Sequence, residues 1–454
     1  MIRTAFAAAS LLLAVPAAAQ SQQQALDARY DRALAAGYKA LMLCGAIASA
    51  ERSGARERSE ESVLRYELTG IQQPLDAIVG QLPYRIERWA GGPSPVRYVA
   101  VDWVEDMPPR MAFQRAGGGC SLGPIGMETD TIDEAAPPPM PKQIVSWHMK
   151  LPGPVSPVLE AAMTEVYGVK VRTTAVSVNW GEDGWDWRFA EGFTPFTPQR
   201  TWSVAKSIAA TLVGAAAQQG GADPGASAGL GSGASGDPRA AITIDHLLRM
   251  ASGRYSDTPG SRTDPLYFGG STVDETALHW PLVHQPGTVF RYANNDTLAA
   301  VAAIAPTFAE HPPAAFFAKI GMQDTVAETD WQGDYILSSQ VWASTMDLVR
   351  FGQLYLNDGK LPSGERILPE GWVSYVSTPS GPQPEGPFGY GAGFWLMNRS
   401  EGVPPDTFAA FGNRGQYVVI VPSRNVVIVR RGEDPVGSRF DIAAFTRDIL
   451  AALE

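Results

Sequence analysis

The sequence predicts an α+β fold, with an antiparallel sheet flanked by helices and a smaller N-terminal α+β unit before it. Three observations carry this. Beyond residue 144, dense β-branched segments stand at both ends, Thr174–Trp180 near the start and Gln416–Val421 with Val426–Arg430 near the end, and helical patterns fill the middle. An acidic then proline-rich stretch, residues 129–141, ending Pro137-Pro138-Pro139-Met140-Pro141, reads as a linker. A chain of 454 residues also exceeds one typical core. The expected units are therefore residues 20–140 and 141–454.

Apolar content of 45% and charged content of 18% mark a folded protein. The net charge is −11 and no segment concentrates Lys or Arg, so nucleic acid and anionic membrane are poor partners. Residues 1–19 have the form of a signal peptide: Arg3, an apolar core too short to span a bilayer, then Pro16 and three alanines. Cleavage is expected after Ala19, with no lipid anchor. No later run approaches 18 apolar residues, so no membrane span is expected. A secreted protein follows, periplasmic in a double-membrane bacterium. In that oxidising setting Cys44 and Cys120, the two cysteines of the chain, are expected to be bridged, with two buried thiols as the alternative.

In the first unit, residues 25–48 have helical spacing through Leu26, Tyr30, Leu34, Tyr38 and Leu41, and residues 59–68 open a second helix. Residues 84–89 and 96–104 alternate as strands. No cluster of chemistry-bearing residues occurs there. A lid, an edge support and a docking surface are all open roles.

The second unit begins with a helix over 155–167. Strands over 174–180 and 185–190 follow, joined by a Gly-Glu-Asp-Gly turn. A helix starting at Ser203 fades into a Gly- and Ala-rich loop, residues 218–239. Gly225-Ala226-Ser227-Ala228-Gly229 is formally G-x-S-x-G, but it lacks the strand and helix that a nucleophile elbow requires. Short helices are expected at 242–250, 272–280, 295–304 and 344–356. A hairpin turn at 422–425 joins the last two strands, and a helix over 441–453 closes the chain. The five histidines are scattered without metal spacing, so no metal or cofactor is expected.

The chemistry centres on Arg200-Thr201-Trp202-Ser203-Val204-Ala205-Lys206. Ser203 and Lys206 are three apart, one turn along one helix face. A serine hydroxyl needs a neighbour to take its proton. A lysine can do so when burial lowers its pKa, and Val204, Ala205, Ile208, Ala209, Leu212 and Val213 would supply that burial. Alone, the spacing also fits a capping serine and a solvated lysine.

Downstream, Tyr292-Ala293-Asn294 follows Pro286-Gly287, and a glycine-containing turn opens a strand near the C-terminus. Together with Ser203-x-x-Lys206, these resemble the serine β-lactamase and penicillin-binding-protein superfamily over about residues 145–450. The resemblance is to the class C-like branch of esterases, D-peptidases and aminohexanoate-oligomer hydrolases. It implies a β-lactamase-like fold and an acyl-enzyme at Ser203. It implies a Tyr292 phenolate, stabilised by the Lys206 cation, as the base that later activates water. Asn294 would bond the Lys206 amine or the substrate amide. The Ser203 N–H would be one oxyanion donor. Aligning the third motif on Ala410-Phe411-Gly412-Asn413 makes the Asn413 N–H the second, although Gly415 offers another register.

One departure bears on substrate. Ala410 stands where the family carries Lys or His. Its absence favours a neutral ester or small amide over penicillin or a stem peptide. Arg414 would supply charge to the substrate, with a solvated arginine as the alternative. Residues 389–395, including Tyr390 and Trp395, line the pocket or form a strand bend. The expected protein is thus a serine hydrolase of small-molecule esters or amides. The rivals are a β-lactamase or D-Ala-D-Ala carboxypeptidase, and a non-catalytic penicillin- or peptide-binding sensor.

Overall fold

The computed structural model describes residues 3–55, 57–89, 95–128, 153–181, 184–231, 233, 236–255 and 263–454. The expected linker and boundary near residue 140 lie outside the described residues.

The first unit opens with helix α1 (Arg3–Ser53), followed by α2 (Glu60–Tyr66) and α3 (Leu75–Val79). Strands β1 (Tyr84–Arg88), β2 (Val96–Val101), β3 (Arg110–Gln114) and β4 (Cys120–Leu122) form an antiparallel meander in chain order. The helical spacing of residues 25–48 included Leu26 and Tyr30. Both are exposed, whereas every residue from Ala33 to Ala50 is buried. The reason is cover on opposite sides. The meander lies on one side; on the other, Gly37 meets the Phe268 carbonyl and Gly45 meets the Trp342 indole, where a Cβ would collide. The expectation that no later run resembles a span is therefore corrected. The helix is apolar and long enough by composition over Gln20–Ser53, and that apolar stretch is core. Cys44 on α1 and Cys120 on β4 form a disulfide across 76 residues.

The second unit continues with α4 (Ser156–Ala162), shorter than its pattern suggested. Next come β5 (Thr173–Trp180), β6 (Gly184–Phe189), β7 (Gln199–Arg200), α5 (Val204–Gln218), α6 (Ile244–Leu248), α7 (Asp264–Tyr267), α8 (Asn294–Ile304) and α9 (Pro313–Lys319). Then follow β8 (Val326–Ala327), β9 (Val341–Ala343), α10 (Thr345–Leu356), α11 (Trp372–Ser377), β10 (Gly389–Tyr390), β11 (Trp395–Leu396), β12 (Phe408–Gly412), β13 (Gln416–Val421), β14 (Val426–Gly432) and α12 (Ile442–Ala452). The segment expected as a helix at 272–280 is one π-type turn, Asp274–Leu278.

The main sheet has seven strands, ordered β10-β11-β12-β13-β14-β5-β6, and every neighbouring pair is antiparallel. The unbroken β-branched runs of β13 and β14, Val418–Val421 and Val426–Val429, explain its two covered faces, because successive side chains point to opposite faces. Val418, Ile420, Val427 and Val429 face α5 and α10. Val419, Val421, Val426 and Ile428 face α4 and α12. A three-stranded sheet, β7-β9-β8, stands apart. The two units are not independent cores. Buried side chains of α1 form one cluster with Trp202, Tyr267, Phe268, Leu298, Ile336 and Trp342.

Candidate active site

Helix α5 is buried along Val204–Ala216, so its start is fixed by core packing on all sides. Ser203 precedes it, partly exposed, and makes no side-chain cap. The turn that presents it is unusual. Trp202 has φ +50°, a left-handed conformation disfavoured for a bulky residue. Its ring sits 4.0 Å from the Arg200 guanidinium and is buried in the cluster shared with α1.

Lys206 lies one turn into α5 and is 2% exposed. Its Nζ is 3.1 Å from Ser203 Oγ. It donates to Asn294 Oδ1 at 2.6 Å and to the Ser338 carbonyl at 2.8 Å. Burial lowers its pKa to about 7. Asn294 heads α8, and its Nδ2 donates to Thr263 Oγ1 at 3.1 Å. The start of α8 is pinned by buried Asp296, which accepts from Ser252 Oγ at 2.7 Å and from Arg254 Nη2 at 3.0 Å.

The Tyr292 ring stands beside the pair, its centroid 5.1 Å from Lys206 Nζ. Burial pushes its phenol up to about 12, while hydrogen bonding with Ser203 and Trp395 opposes the rise. Tyr292 packs 5.3 Å from Trp395 and 6.1 Å from Tyr390, between ring centroids. Tyr390 and Trp395 lie on the β10–β11 hairpin; Tyr390 is buried behind the Tyr292 ring, and Trp395 is partly exposed. The hairpin turn docks on α5: Ser207 Oγ donates to the Gly393 carbonyl at 2.6 Å. Beyond Trp395 and Phe411 lies a groove of about 990 Å³, also lined by Phe388, Tyr417 and Phe440.

Gly412 ends β12 against the turn that presents Ser203. A Cβ there would stand 2.4 Å from the Thr201 carbonyl oxygen and 3.2 Å from the Ser203 nitrogen. The main chain of residues 412–413 therefore runs alongside that of 201–203. Ala410 is fully buried among core side chains, so that position brings no cation.

Arg414 is a correction. Its guanidinium does not serve the substrate cleft, and neither is it solvated. It is buried, with Nε donating to Glu433 Oε2 at 2.8 Å and the other nitrogens donating to carbonyls of Tyr66, Thr69 and Gly70. Ser227, of the rejected elbow pattern, donates to the Ala240 carbonyl at the surface.

Sequence reasoning missed the Ser338 carbonyl, Thr263 and the Asp296 anchor. The first is a backbone group with no residue signature. The other two are separated from Lys206 by long stretches of chain. Among the described residues no group of three or more His, Cys, Asp or Glu is placed to hold a metal.

A buried amine beside a serine at a helix start, under an antiparallel sheet edge, defines a serine hydrolase. The sequence profile described as Beta-lactamase matches residues 170–451, and the chain belongs to that family. No curated protein matches the chain. Among solved structures, a Bacillus anthracis protein assigned as a 6-aminohexanoate-dimer hydrolase is 21% identical, with a TM-score of 0.53, covering 62% of this chain and 78% of its own. A Bacteroides dorei protein assigned as a β-lactamase is 19% identical, with a TM-score of 0.51, covering 66% and 98%. At these identities the likeness is one of fold.

Proposed function

We propose that this is a secreted hydrolase of neutral carboxylic esters or small amides that forms its acyl-enzyme at Ser203. The observation carrying the reading is the set of three partners around Lys206 Nζ. A neutral amine has two N–H donors and one lone pair. The carbonyl oxygens of Asn294 and Ser338 accept both donors, which leaves the lone pair for the Ser203 hydroxyl.

Lys206 neutral with Tyr292 protonated holds the same number of protons as the cation–phenolate pair. Burial lowers the amine and raises the phenol, which favours the neutral pair at rest. Ser203 Oγ attacks the substrate carbonyl carbon while its proton passes to Lys206. The oxyanion is held by the N–H groups of Ser203 and Asn413. Tyr292 protonates the leaving alkoxide or amine, and the phenolate it becomes is stabilised by the Lys206 cation. Tyr292 then accepts a proton from the water that attacks the acyl ester, and Lys206 returns its proton to the departing Ser203 Oγ, which restores the serine hydroxyl, the neutral amine and the phenol.

The neutral-substrate preference rests on positions 410 and 414, neither of which brings a cation to the cleft. Ala410 is apolar and buried, and Arg414 is held by Glu433 and three carbonyls. The partly exposed rings of Tyr292 and Trp395 suit an apolar acyl or alcohol group. Secretion is supported by the signal-like first 19 residues and by the disulfide.

The test is a panel of p-nitrophenyl esters, D-amino-acid anilides, a 6-aminohexanoate dimer and nitrocefin, with Ser203→Ala as control. Ester or anilide turnover and fluorophosphonate labelling are expected in wild type, and neither in Ser203→Ala. Turnover surviving in Ser203→Ala would move the nucleophile elsewhere. Preference for nitrocefin would return the reading to a β-lactamase.

A further inference from the structure

Three of the carbonyls that hold Arg414 belong to the N-terminal unit. We propose that this unit acts as a clamp on the oxyanion turn, and that Arg414 is a positioning residue acting through the Asn413 N–H. The inference rests on the reading of Asn413 as the second oxyanion donor.

The turn Asn413–Gly415 joins β12 to β13 and has one residue in a costly conformation. Arg414 has φ +55° and ψ +27°, a left-handed conformation that crowds its Cβ against the backbone. Its main chain is held on both sides. The Arg414 N–H donates to Asn413 Oδ1 at 2.9 Å, and its carbonyl accepts from the Asp434 N–H at 3.2 Å. The next carbonyl, of Gly415, accepts from Arg430 Nη1 at 2.9 Å. These bonds tie the turn to β14 and its end, but not to the nucleophile side of the molecule.

One route to the Ser203 side runs through Gln416, whose Oε1 accepts from Arg431 Nε at 2.6 Å, while Arg431 Nη2 donates to the Gln199 and Arg200 carbonyls at 2.8 and 3.3 Å. The Arg414 side chain adds a separate tie, to the N-terminal unit. Nη2 donates to the carbonyls of Tyr66 at 2.7 Å and Thr69 at 3.0 Å, and Nη1 to that of Gly70 at 3.0 Å. These carbonyls lie at and just beyond the end of α2, where a helix leaves acceptors without intrahelical partners. Glu433, 1% exposed, balances the charge. A planar fork with five donors can satisfy such a divergent set of acceptors, and an ammonium cannot. The N-terminal unit meets the other side of the same cleft as well, because Trp202, the residue before Ser203, is buried in the cluster built on α1. Both proposed oxyanion donors therefore have an immediate chain neighbour held by this unit. Of the roles the sequence left open, this is edge support.

The experiment uses the full chain with Arg414→Lys. Its readouts are kcat and KM for a p-nitrophenyl ester, the inhibition constant of an alkyl boronic acid that forms a tetrahedral adduct, and the pH profile. A lost oxyanion donor costs about 10²–10³ in rate, so a displaced one is expected to lower kcat and kcat/KM together by about 10- to 100-fold, with KM within about threefold. Boronate affinity should fall by a similar factor. The acid limb of the profile should stay in place, because Lys206 is untouched. A folded Arg414→Lys protein with kcat and boronate affinity within about twofold of wild type overturns the clamp, as does a fall in kcat without loss of boronate affinity. If Arg414→Lys does not fold, Glu433→Gln, which removes the charge but keeps an acceptor, is judged by the same thresholds. Activity remaining in Ser203→Ala would instead remove the underlying reading of the site.

Discussion

Lys206 shows how burial prepares a side chain for the proposed role of base. Burial disfavours the ammonium, and the two carbonyl acceptors at 2.6 and 2.8 Å are those that a neutral amine can satisfy with both its protons. With the pKa lowered to about 7, the reactive neutral form is lost as pH falls through neutrality. The plot of log kcat/KM against pH is expected to rise with unit slope below about 7 and to level above it. A flat profile between pH 5 and 8 would show that Lys206 is not the group taking the serine proton. Ser203, Lys206 and Tyr292 were legible in the sequence for a local reason: a spacing of three fixes a shared helix face, and the tyrosine belongs to a short motif. The Ser338 carbonyl was not legible, because a main-chain acceptor can be supplied by any residue type.

At the level of elements, the site is a meeting of the α5 start with the β12 end. Gly412 makes the approach possible for a steric reason rather than a conformational one. Its φ is −132°, ordinary for a strand, yet a Cβ would stand 2.4 Å from the Thr201 carbonyl oxygen. Gly412→Ala is therefore expected to push the strand end off the nucleophile turn and lower kcat/KM by roughly 10²-fold. Thermal unfolding should shift only slightly, because β12 keeps its pairing with β13 elsewhere. Wild-type activity in Gly412→Ala would mean that the oxyanion is held by other groups. The pattern of β13 and β14 was readable because an unbroken run of β-branched residues fits a doubly covered sheet. The destination of Arg414 was not. Its partners are carbonyls some 345 positions earlier, and nothing local separates such an arginine from a solvated one.

On the scale of the molecule, the N-terminal unit and the hydrolase unit share buried surface, which composition alone had separated at a proline-rich stretch. Removing residues 1–140 would uncover Trp202, Tyr267, Phe268 and Trp342 together. The truncated chain is expected to be insoluble or inactive, and a soluble, fully active truncation would show that the hydrolase unit stands alone. The Cys44–Cys120 bond reinforces the same junction. Unfolded, unreduced protein should show no free thiol. Replacing both cysteines by serine is expected to cost about 4 kcal/mol, as for closing a loop of 76 residues, measured by denaturant titration.

The burial of α1 on all sides has a consequence for biosynthesis. A ribosome makes this helix first, yet Phe268 and Trp342, which cover one side of it, come roughly 220 and 300 residues later. At about 5–20 residues per second, the uncovered interval lasts many seconds. Throughout that time the side of α1 that carries Gly37 and Gly45 has no finished surface to meet, although the β1–β4 meander can cover the other. Nascent chains of this protein should thus depend on a holding chaperone until nearly three quarters of the polypeptide has emerged.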